Sequence, residues 1–193
     1  IVAAGFFYLT RWLVDETRPH YLKSMEESLV DQATVLASAV SVGLEGDSIG
    51  TAELRRVFEH ASRRRFDARV YDVVKSRTNV RVYVTDADGV VIFDSEDGRD
   101  EGQDYSQWND VHRTLRGKYG ARATRTVEDD PMTSWLYVAA PILSGDRIVG
   151  SLTVAKPAAS INEFVLRARN EIVAAAAIAG ACVVVLGILL STW

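Results

Sequence analysis

Two predicted β-hairpins carry the side chains of this chain that are best suited to hold a small ligand. Val80–Ser95 alternates apolar and polar residues around an Asp-Gly turn, and Trp135–Pro157 does so around Ser-Gly-Asp-Arg. Side chains alternate across a strand, so each hairpin has an apolar face and a mixed face. The mixed faces hold Tyr83, Asp94, Tyr137 and Lys156. Aromatic rings together with opposite charges are the chemistry of a polar small-molecule site.

The turn positions predict which of these side chains lie opposite one another. The Asp-Gly turn of the first hairpin places Tyr83 opposite Asp94. A Gly-Asp loop in the second hairpin places Tyr137 opposite Val154, so that Lys156 shares a face with Tyr137. When the two hairpins join one sheet, these side chains point to the same side of it.

A predicted helix over Ser106–Arg116, capped by Asp104 or Ser106, covers this side of the sheet and brings Trp108 to it. The predicted ligand-binding residues are Tyr83, Asp94, Trp108, Tyr137 and Lys156. The outer positions of the site are Arg81, Arg116 and Arg122. A cation beneath aromatic rings favours a small anion, because charge-assisted hydrogen bonds strengthen in a partly dry site. We expect a carboxylate metabolite.

A structural role is the alternative for the same residues. In that case Trp108 and Tyr137 are core side chains, and Lys156 and Asp94 form an internal ion pair. Substitution of Lys156 or Asp94 by alanine distinguishes the two roles. An internal ion pair predicts lost stability from either substitution, whereas a ligand site predicts lost signalling first.

No pattern in the sequence predicts catalysis. The three histidines, His20, His60 and His112, stand far apart, and none has a neighbouring phosphoacceptor or nucleotide-binding pattern. The sequence also shows no cluster spaced to bind a metal, no glycine-rich phosphate loop and no nucleophile with an identifiable base. We therefore expect no catalytic residue, metal or cofactor in this chain.

Composition argues against one class of partner and indicates another. With 26 acidic and 22 basic residues the net charge is −4, which argues against nucleic-acid binding.

Ile172–Trp193 has no charged side chain, and about 20 such residues cross a bilayer. Ile1–Val14 is the expected outer part of another span, with Arg11 and Trp12 at the membrane boundary. Cys182, the single cysteine, falls in a predicted span and does not indicate a redox compartment.

The region between the two spans, residues 15–171, is predicted to be one domain. Asp15–Gly43 is predicted to be a long helix, because apolar residues recur in it at steps of three and four. That spacing fits a helix on the sheet of its own chain, or one that also packs on a second copy. We expect a homodimer along Leu22–Val40, assisted in the membrane by the small residues Ala176 and Gly180.

The remaining segments complete the predicted element order. Thr51 is predicted to cap a second helix, Phe66–Arg77 to be helical and Ala121–Thr126 to be a strand. The arginines around the second helix form a solvated face or contact acidic lipid headgroups. A long N-terminal helix on one face of an antiparallel sheet is an α+β arrangement. It resembles the PAS-like or Cache-like extracytoplasmic sensor domains.

Five segments within Arg81–Pro157 together resemble the sensor domain of CreC-type bacterial histidine kinases. In chain order they are VYVTDADGVVIFDS, GQDYSQWNDV, TLRGKYGAR, YVAAPI and GSLTVAKP. The resemblance implies an inner-membrane protein with this domain in the periplasm. It also implies a cytoplasmic kinase region that phosphorylates itself on a histidine and passes the phosphate to a response regulator. This sequence shows no such region, so enzyme activity is expected of the full protein only.

Two other functions fit the same pattern. The domain could detect a periplasmic protein partner instead of a metabolite, which an exposed apolar patch and a filled core would favour. The same sensor could also serve a chemoreceptor or a nucleotide cyclase, which the sequence beyond Trp193 would decide.

Overall fold

The computed structural model describes residues 2–44, 46, 48–70, 73–125 and 133–158, with side chains from residue 22 onward except at 70 and 73. Beyond residue 158 it describes single positions only. The chain divides into two compact units, one of Ile1–Met25 with Ala158–Trp193 and the other of Glu26–Pro157.

Helices and a small hairpin precede the main sheet. Helix α1 covers Val2–Val42 and helix α2 covers Thr51–Arg63. Strands β1 (Ala68–Val70) and β2 (Val73–Lys75) pair antiparallel with each other. The elements that follow are β3 (Arg81–Asp86), β4 (Val91–Asp94), α3 (Asn109–Thr114), β5 (Gly120–Arg125), β6 (Ser134–Ser144) and β7 (Arg147–Pro157).

The main sheet has five antiparallel strands in the order β4-β3-β7-β6-β5. The two predicted hairpins, β3–β4 and β6–β7, meet where β3 pairs with β7. They therefore form one continuous surface, as expected. The predicted α+β fold, a PAS-like or Cache-like antiparallel sheet with a long N-terminal helix, is confirmed.

One face of the main sheet is apolar and largely buried. Its buried side chains are Val82, Val84, Phe93, Val138, Ile142, Leu152 and Val154. On α1, Leu29, Ala33 and Ala37 form a stripe at four-residue spacing and are at most 1% exposed within the single chain. A fully buried leucine side chain contributes about 1.5–3 kcal/mol. The apolar stripe predicted on the long helix is therefore used within the chain.

Three local predictions are wrong. The segment Phe66–Arg77 contains the short hairpin β1–β2 instead of a helix, and its β-branched valines favour strands. Gly50, not Thr51, takes the cap position of α2, without a side-chain hydrogen bond. Helix α3 is shorter than the predicted Ser106–Arg116, because Trp108 is its extended N-cap residue.

No helix among the described residues is both long enough and apolar enough to cross a membrane. The predicted span Ile172–Trp193 lies outside the described residues except at single positions. The backbone of the predicted outer segment Ile1–Val14 is helical from Val2 onward, as the beginning of α1.

Candidate functional site

The second face of the main sheet carries the predicted polar residues. Tyr83 on β3 lies opposite Asp94 on β4 and Thr153 on β7. Tyr137 on β6 lies opposite Arg122 on β5. Opposed residues of an antiparallel pair point to the same side of the sheet. The predicted placement of Tyr83, Asp94 and Tyr137 on one face is therefore confirmed.

Lys156 is not on this face. Val149 is an extra residue in β7, because the pairing with β6 steps from Ile148 to Gly150 across a register shift. Such a β-bulge displaces the strand beyond it by one residue, which moves every side chain there to the other face. Lys156 consequently lies opposite Leu136 on the apolar face.

The environment of Lys156 agrees with this different position. The side chain is half-buried, and its pKa is lowered by burial and by the nearby ammonium group of Lys75. Tyr137 lies opposite Ala155 instead of Val154. The predicted placement of Lys156 beside Asp94 is therefore wrong.

Arg122 supplies the cation that aromatic rings cover. Its guanidinium carbon lies 3.8 Å from the ring centre of Trp108 and 3.9 Å from that of Tyr137. Its Nε donates a hydrogen bond of 2.8 Å to Oδ1 of Asp110. A flat guanidinium between two rings has only its edge left for further hydrogen bonds. Arg122, which was predicted as an outer position of the site, therefore has the place beneath aromatic rings that was predicted for Lys156.

Asp110 is the centre of this cluster, and the sequence did not single it out. Its side chain is fully buried. It accepts hydrogen bonds from the Tyr83 hydroxyl, from Oγ1 of Thr153 at 3.3 Å and from Arg122. A buried carboxylate needs such donors, because burial without them is costly. Its position two residues after Trp108, at the start of the predicted helix, was the available signal.

A glycine brings α3 close enough for Asp110 to reach the sheet. A Cβ atom at Gly120 would lie 2.1 Å from the backbone oxygen of Asp110 and 2.3 Å from Oγ1 of Thr114. Before the helix, Trp108 stacks on Tyr105 with ring centres 3.9 Å apart and planes at 10°. The glycine and the stacked pair thus position the helix start over the mixed face.

A second ion-paired network lies beside the first. Arg81 donates to both carboxylate oxygens of Asp94, from Nε at 3.2 Å and from Nη2 at 2.7 Å, and its Nη2 also donates to Asp100. The Tyr105 hydroxyl donates to Asp100 at 2.6 Å. The guanidinium of Arg81 lies 5.6 Å from the ring centre of Tyr83. Asp94 is therefore an ion-pair residue, as the structural alternative held, but its partner is Arg81.

The pKa shifts follow from burial and from these pairings. Burial raises the pKa of Tyr83 well above its ordinary value, and the charge of Asp110 raises it further. Burial acts to lower the pKa of Arg122, but Asp110 and Tyr83 more than offset it and the pKa is raised. The phenol is therefore a neutral donor and the guanidinium keeps its charge.

Two predicted residues occupy the margin of the site. Trp108 is 36% exposed, so the covering ring borders solvent. Arg116 is exposed, and its Nη1 donates to the backbone oxygen of His112 at 2.9 Å. Arg116 does not join the cluster.

Within the part of the chain that the structure describes, the cluster has one unused hydrogen-bonding edge. Among the described residues, Nη1 of Arg122 has no hydrogen-bond partner and Nη2 has only a 3.4 Å contact with the Tyr83 hydroxyl. In the same part of the chain, no group of three or more His, Cys, Asp or Glu side chains is placed to hold a metal ion. The geometry thus suits binding of an anion at Arg122.

Comparisons with known proteins give one extended sequence relative. No protein-family model matches the chain. The chain is 38% identical over all 193 residues to the Sensor protein CreC of Escherichia coli (strain K12), and it covers 40% of the length of that protein.

Solved structures show weaker similarity. The sensor domain of the V. cholerae histidine kinase DctB has a TM-score of 0.48 and 15% identity, over 79% of this chain and 59% of that one. The ligand-binding domain of the Campylobacter jejuni chemoreceptor Tlp3, in complex with L-valine, has a TM-score of 0.48 and 14% identity. It matches over 85% of this chain and 64% of that one. Over its whole length the chain is thus similar to about two fifths of Sensor protein CreC.

Proposed function

We propose that the chain is the extracytoplasmic sensing region of a two-component sensor histidine kinase in the bacterial inner membrane. The observation that supports this most is the 38% identity to Sensor protein CreC across the whole chain. In this proposal the full protein phosphorylates itself on a cytoplasmic histidine and passes the phosphate to a response regulator. The segments Ile1–Val14 and Ile172–Trp193 connect the periplasmic domain to the membrane.

The proposed signal is a small carboxylate bound at Arg122. The Nη1–Nη2 edge of its guanidinium, which is unused among the described residues, can donate two parallel hydrogen bonds to a carboxylate, which is the geometry that arginine favours. Trp108 and Tyr137 already clamp the guanidinium on both faces, so little side-chain freedom is lost on binding. Because Trp108 borders solvent, a ligand can approach along this edge. Asp110 and Tyr83 hold the arginine from behind.

A homodimer and lipid contacts complete the proposal. Leu29 and Ala33 are buried within the single chain, so a second copy would pack on the outward side of α1. Val35 and Val42 lie on that side, seven residues apart, and are 68% and 89% exposed. The exposed arginines of α2, such as Arg56, are the proposed contacts with acidic lipid headgroups.

A chimera tests the proposed function. The corresponding region of E. coli CreC is replaced by this chain, and the protein is reconstituted in vesicles of E. coli lipid. Histidine phosphorylation is then measured with acetate, succinate or citrate on the periplasmic side. We expect at least one probe to change phosphorylation several-fold, and the Arg122→Lys variant to lose that response. If an active chimera shows the same histidine phosphorylation with each of the three probes as with buffer alone, the carboxylate proposal is wrong.

A periplasmic protein is the second candidate signal. Val42 and Leu143 are exposed apolar residues at one end of the sensor unit, where the backbone N–H of Leu143 donates to Oγ of Ser41 at 2.9 Å. Substituting both apolar residues by serine would then abolish the response, and Arg122→Lys would leave it intact. The two signals thus predict opposite results from the same pair of variants.

A further inference from the structure

One hydrogen bond joins the segment after α3 to the long helix α1. The hydroxyl of Tyr119 donates to Oε1 of Glu26 at 2.5 Å, across 93 residues of sequence. Burial and the Glu26 carboxylate both raise the pKa of Tyr119, so the phenol is a neutral donor. The contact connects two elements that no predicted motif linked.

Tyr119 is also fixed to the candidate site. The Nε atom of Arg113 in α3 donates to the backbone oxygen of Tyr119 at 2.8 Å. The next residue, Gly120, packs so closely on Asp110 that even a Cβ would collide with its backbone oxygen. Asp110 in turn holds Arg122. A displacement of the Arg122–Asp110 pair therefore displaces the backbone that carries Tyr119, because packed elements move together.

Glu26 belongs to α1, which is one helix from Val2 to Val42. We infer that the Tyr119–Glu26 hydrogen bond is the coupling contact through which the state of the Arg122–Asp110 site biases α1. This inference rests on the proposed function for the existence of a signal. Farther along α1, Ser41 accepts a separate hydrogen bond from the backbone N–H of Leu143. The two contacts hold α1 at separate points, and only the first leads to the candidate site.

The contact is suited to switching because it is weak. Tyr119 is 50% exposed, and an exposed hydrogen bond adds little to the stability of a fold. A ligand shifts a two-state equilibrium by no more than its difference in affinity for the two states. The free energy needed to break a weak contact is small enough to be supplied by such a difference in affinity, whereas that needed to break a buried core contact is not.

The first experiment measures signalling in the chimeric kinase. The variants are Tyr119→Phe, Glu26→Gln and their double variant, and Glu27→Gln is the matched control on the exposed side of the same helix. Each single variant should change basal phosphorylation about 3- to 10-fold, as expected for the loss of one exposed hydrogen bond. The double variant should show no further change. Independent effects of the two single variants, or an equal effect of Glu27→Gln, would contradict the coupling.

The second experiment needs no kinase and no ligand. Hydrogen exchange of the α1 amides around Glu26 is measured in this chain with Arg122→Lys as the perturbation of the site, because this variant keeps a positive charge beside the buried Asp110. We expect exchange there to rise several-fold in the wild-type background and to stay unchanged when Tyr119→Phe is already present. An equal rise in both backgrounds would overturn the coupling. A chimera that responds to no probe overturns the carboxylate proposal instead, so the two failures are distinguishable.

Discussion

Arg122 and Asp110 form an ion pair in which Asp110 is fully buried and Arg122 is only 13% exposed at its side chain. Removing the arginine leaves a buried carboxylate without its counter-charge. We expect Arg122→Ala to lower the free energy of unfolding by about 3–5 kcal/mol, measured by urea denaturation. Arg116→Ala, at an exposed arginine outside the cluster, is the control and should change stability by about 0.5 kcal/mol or less. A loss below about 1 kcal/mol for Arg122→Ala would show that Asp110 does not depend on this partner.

Lys156→Met should leave the response to a carboxylate unchanged. The lysine lies on the apolar face, opposite Leu136, with a pKa lowered by burial and by Lys75. Removing its charge relieves that unfavourable burial, so the midpoint of urea unfolding should stay the same or rise. If the chimera lost its phosphorylation response while the unfolding midpoint stayed unchanged, Lys156 would be shown to take part in ligand binding.

Gly120→Ala should destabilise the domain. The new methyl group would collide with the backbone oxygen of Asp110 and with Thr114, and neither a backbone carbonyl nor a buried side chain moves easily. Overpacking of this kind costs about 1–3 kcal/mol in the free energy of unfolding. Gly43→Ala is the control, because the nearest atoms to its added Cβ are backbone oxygens at the ordinary contact distances of 3.6 and 3.7 Å. Equal stability of the two variants would mean that α3 can move away from β5 without loss.

Acid should weaken the loop after β4 through Asp100. Partial burial acts to raise the pKa of this carboxyl, but hydrogen bonds from Tyr105 and Arg81 and the charge of Arg81 hold it below its ordinary 3.8. A depressed folded-state pKa contributes stability above the unfolded-state pKa, and that contribution disappears as pH falls through the folded-state value. Wild type should therefore exceed Asp100→Asn in stability near pH 6. The difference should shrink as pH falls below 3.8 and through the lower folded-state pKa. A constant difference across this range would rule out the ionised carboxylate as its source.

Cysteine crosslinking tests the proposed dimer. The sequence predicted crosslinks with a period near 3.5 along Leu22–Val40. Because Leu29 and Ala33 are buried in the single chain, we expect crosslinks from Val35→Cys and Val42→Cys in membranes and none from Leu29→Cys or Ala33→Cys. Reaction at the buried pair instead would require α1 to leave its own sheet.

Local pattern was sufficient for several elements. Alternating β-branched residues and an Asp-Gly turn predicted the pairing of Tyr83 with Asp94, which the structure confirms. The three- and four-residue spacing predicted the long helix, and small side chains such as Ala33 let it pack closely. These features depend on residues that are near in sequence, so the sequence alone determined them. The homodimer, the membrane spans and the ligand remain predictions.

The tertiary structure decided the site. One extra residue at Val149 reversed the face of Lys156, and no composition rule marks where a strand will bulge. Asp110 became the centre of the cluster because Gly120 lets α3 touch β5, and because Tyr83 and Thr153 come from two other strands. Each of these contacts joins segments far apart in sequence. Their partners are fixed only when the sheet order is fixed, which is why the sequence identified the mixed face but not the residue at its centre.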